Sequence, residues 1–271
     1  MKKAIILACF LVYAGIWWHF KNQILWSDRY LSMPLPVPVL KVVSGYGQHM
    51  VGFSLFVKTA IFTGGNNVVG VDERTYADSL AENYEAAARL YPEFIDTYFF
   101  NQSFLPHIAP KYAKFANRIH DHGIAARPDY LYIPFFKAFN YVRYLDQPLK
   151  AAEIFAELAE RSDAPPWFGS LSSKLMARGG RLSAGRNMLQ LMYEGETHDE
   201  VRQRYARELA NFDKALRVHA LLDQYREDFG LEAEKLEDLI PRYLARLPEL
   251  DFGYSLEWEP PTLKMIHPAT K

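Results

Sequence analysis

Three times this chain writes a proline, one further residue and then an aromatic: Pro92/Phe94, Pro128/Tyr130 and Pro165/Trp167, at spacings of 36 and 37 residues. Proline lacks the N–H that would continue a helix, so each step closes whatever helix precedes it. The apolar pattern before each step is helical. Leu80, Tyr84, Ala87, Ala88 and Tyr91 share one face, as do Tyr112, Phe115, Ala116, Ile119 and Gly123, and again Ala151, Ala152, Phe155, Leu158 and Ala159. Between the steps lies a second break: Pro106 and Pro110, then Asp146-Gln147-Pro148, then Gly179-Gly180. The unit is therefore helix, turn, helix, proline, and the aromatic two residues later is expected to plug into the preceding pair. A single pair cannot bury its apolar face, so neighbouring pairs must stack.

Composition agrees with that division. Sixteen prolines in 271 residues exclude one long uninterrupted bundle. Nearly half the residues are apolar, enough for a sizeable core. Acidic and basic residues almost cancel, to a formal charge of −1, and no Lys/Arg block forms a phosphate-binding stripe, so nucleic acid is not an expected partner. One cysteine excludes an internal disulfide and any cysteine-based zinc or haem motif.

The first residues carry the pattern of a membrane anchor. Lys2 and Lys3 precede an uncharged run from Ala4 to Trp18 that contains Cys9, and Trp17, Trp18 and Phe20 close the run where a cleavage site would need small residues. As a helix the run reaches roughly 25 Å, the short end for a bilayer span, with lysines inside and tryptophans at the far interface. Residues 1–21 are thus expected to be an uncleaved transmembrane signal anchor. In a bacterium it would hold the bulk of the chain in the periplasm, single-pass at the inner membrane. Residues 22–45, with "SMPLPVPVL", read as an extended proline-containing spacer. The stretch "MVGFSLFVKTAIF" at 50–62 is too short to span and carries Lys58, so it reads as a buried helix.

Residues 46–195 resemble the tetratricopeptide repeat (TPR) family, whose period is about 34 residues. In the unit from Tyr130 to Pro165, Ala138 and Tyr141 fit the small and aromatic positions of the first helix. Ala152, Ala156 and Ala159 fit the small positions of the second, and Pro165 the closing proline. Ala116, Gly123 and Pro128 match in the previous unit, with His120 where an aromatic is usual; Tyr84, Ala87 and Pro92 close the first. The units run slightly long. The layout is also similar to that of bacterial membrane-anchored proteins with such repeats. The resemblance implies an all-α, TPR-like α-α solenoid of about three helix pairs behind one transmembrane helix. Residues 196–271 then supply a C-terminal capping helix over Asp199 to about Asp228, with Val201, Tyr205, Leu209, Phe212 and Leu216 on its apolar face, and an irregular tail. It also implies a concave groove lined by the first helix of each pair, with Phe99, Ser103, Tyr132, Phe135, Phe139 and Arg143 at or near it.

Catalytic chemistry finds little support in the sequence. In "RIHDHG", His120 and His122 are two apart and diverge by about 200° on a helix, so they do not converge on one metal ion. "TGGNNVVG" at 63–70 has no Lys-Ser/Thr after its glycines and reads as a loop rather than a phosphate cradle. Glu153 and Glu157 are one turn apart, which is routine on a solvated face. The expected function is a membrane-anchored, non-catalytic scaffold that binds a protein partner in a bacterial envelope assembly without a cofactor. The alternatives are an envelope enzyme, which would need a buried carboxylate in a cleft, and a self-associating structural component.

Overall fold

The computed structural model describes residues 10–12, 14–15, 31–65 and 72–270. The expected anchor over residues 1–21 therefore lies almost wholly outside the described residues. Among these, no helix is long and apolar enough to cross a membrane. The chain is mostly helical, with ten α-helices and one two-stranded sheet among the described residues. It divides into two compact units, residues 1–133 and 134–271.

The N-terminal unit contains α1 (Val37–Ser44), α2 (Gln48–Gly64), α3 (Ala77–Leu90), α4 (Asp96–Phe104) and α5 (Pro110–Ala126). α1 corrects the expectation of a spacer extended to residue 45. Among the described residues of that span, regular structure is absent over 31–36, and α1 begins after Pro36 with Pro38 in its first turn, where a missing N–H costs no hydrogen bond. Leu31 and Val37 are buried, so this stretch belongs to the core rather than standing off it. Ser32 is fastened as well: its carbonyl accepts from Lys58 Nζ at 2.9 Å and from Asn83 Nδ2 at 3.0 Å. Near Asp72, whose side chain accepts from the Arg74 N–H at 3.0 Å, the chain turns into α3. Leu80, Tyr84, Ala87 and Ala88 point inward as their spacing requires. The core joins Phe56, Leu80, Tyr84, Tyr98, Leu105, Ile119 and Ile133. Two glycines permit close approach in it: a Cβ on Gly52 would meet the Tyr91 Cβ at 2.9 Å, and one on Gly123 would meet the Tyr98 ring at 2.6 Å.

The break at Ile133/Pro134 falls inside α6 (Tyr132–Arg143). The C-terminal unit continues with α7 (Pro148–Ala159), α8 (Trp167–Arg178), α9 (Leu182–Gly195) and α10 (Asp199–Phe229). Its turns use the residues that the sequence offers as breaks. Asp146 and Gly180 take positive φ, and Pro148 occupies the first turn of α7. α8 is buried on most sides, and Gly169, Ser170, Ser172, Ser173 and Ala177 let its neighbours come close. Ser172 Oγ donates to the Ala152 carbonyl at 2.8 Å and Ser173 Oγ to that of Gly185 at 2.7 Å, tying α8 to both neighbours. α10 runs 31 residues, about 46 Å of helix. It buries Tyr205, Leu209 and Phe212 as expected, whereas Val201 stays exposed, and it ends at Gly230 in the left-handed region.

The tail is not irregular. β1 (Ser255–Glu259) and β2 (Thr262–Ile266) pair as an antiparallel hairpin, with Leu256 opposite Met265 and Trp258 opposite Leu263. Apolar residues alternate along both strands, and Leu263 and Met265 enter a core with Ala177, Phe212, Val218 and Leu239. The Trp258 indole N–H donates to the Ala233 carbonyl at 2.7 Å. The C-terminal segment thus serves as core of its own unit.

Candidate functional site

Each aromatic of the three proline steps packs on the first helix of the pair before it. Phe94 stands edge-on to Phe53 and Phe56 of α2, with centroids 5.3 and 5.0 Å apart. Tyr130 stands edge-on to Phe99 of α4 at 6.3 Å. Trp167 stands edge-on to Phe135 of α6 at 6.0 Å. Three copies of one contact explain why the chain repeats the step. The proline stands between two helices, and the aromatic pins the next entry to what is already built.

The contact does not bury all three equally. Phe94 and Tyr130 are half-buried, whereas Trp167 keeps 48% of its surface. On α6, Phe135, Phe139 and Arg143 follow at steps of four, which sets them along one stripe. Phe135 is half-buried and forms the platform: its ring contacts Phe155 and Phe168 at 5.9 and 6.2 Å, besides Trp167 and Phe139. Phe139 stands on that platform 40% exposed. Arg143 is exposed in the last turn of α6, where a cation also suits the helix dipole. The C-terminal unit therefore carries a surface of two exposed rings and one guanidinium on a packed aromatic base.

The other expected groove residues belong to the N-terminal unit. Phe99 is half-buried between Tyr130 and Tyr132, with ring centroids 6.3 and 6.4 Å away, and Tyr132 is 57% exposed. Ser103 is exposed, but its hydroxyl donates to the Phe99 carbonyl of its own helix at 2.8 Å. Trp167 is the residue missing from the expected set. Its signal was present in the Pro-x-aromatic step itself, which identifies the ring but not the exposure of its outer face.

A second concavity of the C-terminal unit, about 600 Å³, is lined by Ala156, Pro165, Met188, Leu191 and Met192, with Glu196 and His198 at its edge. Met192 leans over Gly169, where a Cβ would meet its sulfur at 2.8 Å. None of the expected groove residues lines it.

The same unit buries a charge cluster. Glu208 is 1% exposed and binds Lys174 Nζ at 3.6 Å, Arg204 Nε at 3.2 Å and the Tyr254 hydroxyl at 3.3 Å. Burial pushes the Lys174 ammonium below its ordinary range against the pull of Glu208. Burial also raises the Tyr254 phenol, and the Glu208 charge adds to that. The Tyr254 ring meets His267 edge-on at 4.6 Å, and the His267 Nδ1 accepts the Ala269 N–H at 3.0 Å. Burial, then the Lys174 charge, lowers the His267 imidazole below its ordinary value, which favours the neutral ring at pH 7. The carboxylate is held on three sides by donors from α8, α10 and the segment before β1, and Glu208 is not among the residues that line the 600 Å³ concavity.

His120 and His122 point apart. His120 is fully buried with its Nε2 3.1 Å from Asn101 Nδ2, while His122 Nε2 lies 3.1 Å from Glu85 Oε1. Burial alone would raise the Glu85 carboxyl, yet the His122 bond and the charges of His122, Arg118 and Arg89 bring it below the usual range. Among the described residues no three His, Cys, Asp or Glu side chains gather as a metal site would require. Compared with known proteins, the chain matches no family model, no curated protein and no solved structure.

Proposed function

We propose that this protein is a TPR-like, non-catalytic adaptor, tethered at a bacterial membrane, that docks a peptide segment of another envelope protein on the Phe139/Trp167/Arg143 surface. The reading rests chiefly on one observation: Phe139 and Trp167 stand about half exposed on a base of Phe135, Phe155 and Phe168. Large rings held rigid yet open to water carry binding energy at low entropic cost, and Trp, Tyr and Arg are the residues that dominate docking surfaces. Arg143, four residues beyond Phe139, selects a segment that brings a carboxylate one turn from its apolar anchor. The stacked-pair architecture is supported by the recurring ring contact of Phe94, Tyr130 and Trp167 and by the matching breaks at Pro110, Pro148 and Gly180. The tether would raise the effective concentration of the surface for partners in the same membrane.

The test is crosslinked capture of the full-length protein from detergent-solubilised membranes, beside the variant Phe139→Ala/Arg143→Ala. Both side chains are exposed, so the variant should keep its stability within about 1 kcal/mol. A stoichiometric partner that disappears in the variant supports docking at this surface. Equal capture by both proteins, or crosslinks only between copies of this chain, would overturn it.

A further inference from the structure

Among its described residues, the N-terminal unit leaves open an apolar face that lies in a stretch of sequence free of carboxylates. From Arg29 to Val71 there is no acidic side chain, in a chain that carries 32 of them. Within that stretch α2 is apolar on both sides. Gly52, Phe56, Thr59 and Phe62 enter the core and Val57 packs against it, while Met50 and Ile61 stand exposed on the opposite side, with Phe53 half-exposed beside Phe94. A helix apolar all round is ordinarily covered all round. α1 repeats the pattern, with Val37 inward and Val39, Val42 and Val43 outward. Val42, Val43, Met50 and Ile61 are each more than two-thirds exposed, and Tyr46, in the turn between the helices, is fully exposed.

We infer that this face, Val39 to Ile61, seats the N-terminal unit on the surface of a lipid bilayer. Three features favour lipid over a protein partner. The patch is mostly aliphatic, with the fully exposed Tyr46 in the turn between its two helices, the mixture that settles at a membrane interface. The absence of carboxylates from the whole stretch removes the groups that anionic headgroups would repel. The uncharged run from Ala4 to Trp18 lies just upstream. The ten residues between Phe20 and Leu31 reach no more than about 35 Å even when fully extended. The anchor expected in that run supplies nearness, and the face supplies the seat. The inference is independent of peptide docking and rests on the N-terminal unit alone.

The experiment uses the full chain with Cys9→Ser and Val42→Cys, labelled with an environment-sensitive fluorophore and reconstituted into phosphatidylcholine/phosphatidylglycerol vesicles. Val42 is exposed, so the label disturbs no packing. Lys114→Cys, on the exposed side of α5, serves as the water-facing site. An interfacial helix sinks its apolar face ~5–10 Å into the headgroup boundary, so lipids with a nitroxide near the headgroup should quench the Val42 label roughly twofold. The Lys114 label should instead respond to aqueous iodide. A Val42 label as open to iodide as that of Lys114 would overturn the inference. A label shielded from iodide yet untouched by nitroxide lipid would overturn it too, because protein then covers the face, either a second copy or the chain's own N-terminal run. Flotation of the same samples with the vesicles reports the tether separately, so a failed seat and a failed anchor are distinguishable.

Discussion

At the scale of single residues, the fold depends on a few tight fits. Gly123 lies beneath the fully buried Tyr98, whose hydroxyl donates to the Pro92 carbonyl at 2.6 Å and so cannot easily swing away. Gly123→Ala gains up to ~1 kcal/mol of helix propensity but forces a methyl into that ring, an overpacking cost of about 1–3 kcal/mol. The expected outcome is a net loss, read as a lower urea midpoint with an unchanged slope. His267 gives a pH dependence whose sign follows from its lowered folded pKa. The neutral ring's contribution is complete above the ordinary value near 6.5 and is lost as pH falls through the lower folded value, where the proton must enter beside Lys174 and Arg204. Because the ring is partly solvated, the effect stays below about 1 kcal/mol. Melting temperature should therefore sag modestly on acidification from pH 7 toward 5. In His267→Asn, which can keep an acceptor for the Ala269 N–H, that part of the slope should flatten; an unchanged slope would assign it to other groups. Neither residue announced itself in the sequence. A glycine on an apolar helical face shows that something comes close, but not that Tyr98 is what arrives.

At the scale of elements, the helices and their stops were legible, and the exceptions share a cause. Pro92 and Pro128 follow real helix ends at Leu90 and Ala126, whereas α7 stops at Ala159, well before Pro165; Leu80/Tyr84/Ala87 and Ala151/Ala152/Phe155 mark real buried faces, because the 3.6-residue period is local. α1 was hidden because its prolines look like an extended run; only the structure shows that Pro36 precedes the helix and Pro38 falls in its tolerant first turn. The hairpin was hidden because five-residue strands around Pro260-Pro261 carry too little periodicity to stand out. It is nevertheless structural. Leu263, Met265 and Ile266 are buried, each worth about 1.5–3 kcal/mol of transfer free energy. Truncation after Tyr254 therefore removes roughly 4.5–9 kcal/mol, a large share of what holds a typical domain. Hydrogen exchange should show α8 and α10 losing protection in the truncated chain while α3 and α5 keep theirs. Full protection throughout would mean that the hairpin is a passenger.

At the scale of the whole molecule, the repeat spacing conveyed the helical class, since a 36-residue rhythm of stops needs no knowledge of contacts. The candidate surface was legible in part. Phe135, Phe139 and Arg143 share a stripe by arithmetic, but which rings form the base and which stand open depends on Phe155, Phe168 and Trp167 arriving from other helices. The charge total of −1 concealed its own most telling feature, the carboxylate-free stretch from 29 to 71, because a sum erases position. The clamp at Ser32 has a mechanical consequence. Leu31 is buried, and the next carbonyl is gripped by Lys58 from α2 and Asn83 from α3. Tension applied through the chain upstream of residue 31 is taken up there by two helices at once. A pull on the chain upstream is thus transmitted to the folded core as a load on a bolted joint.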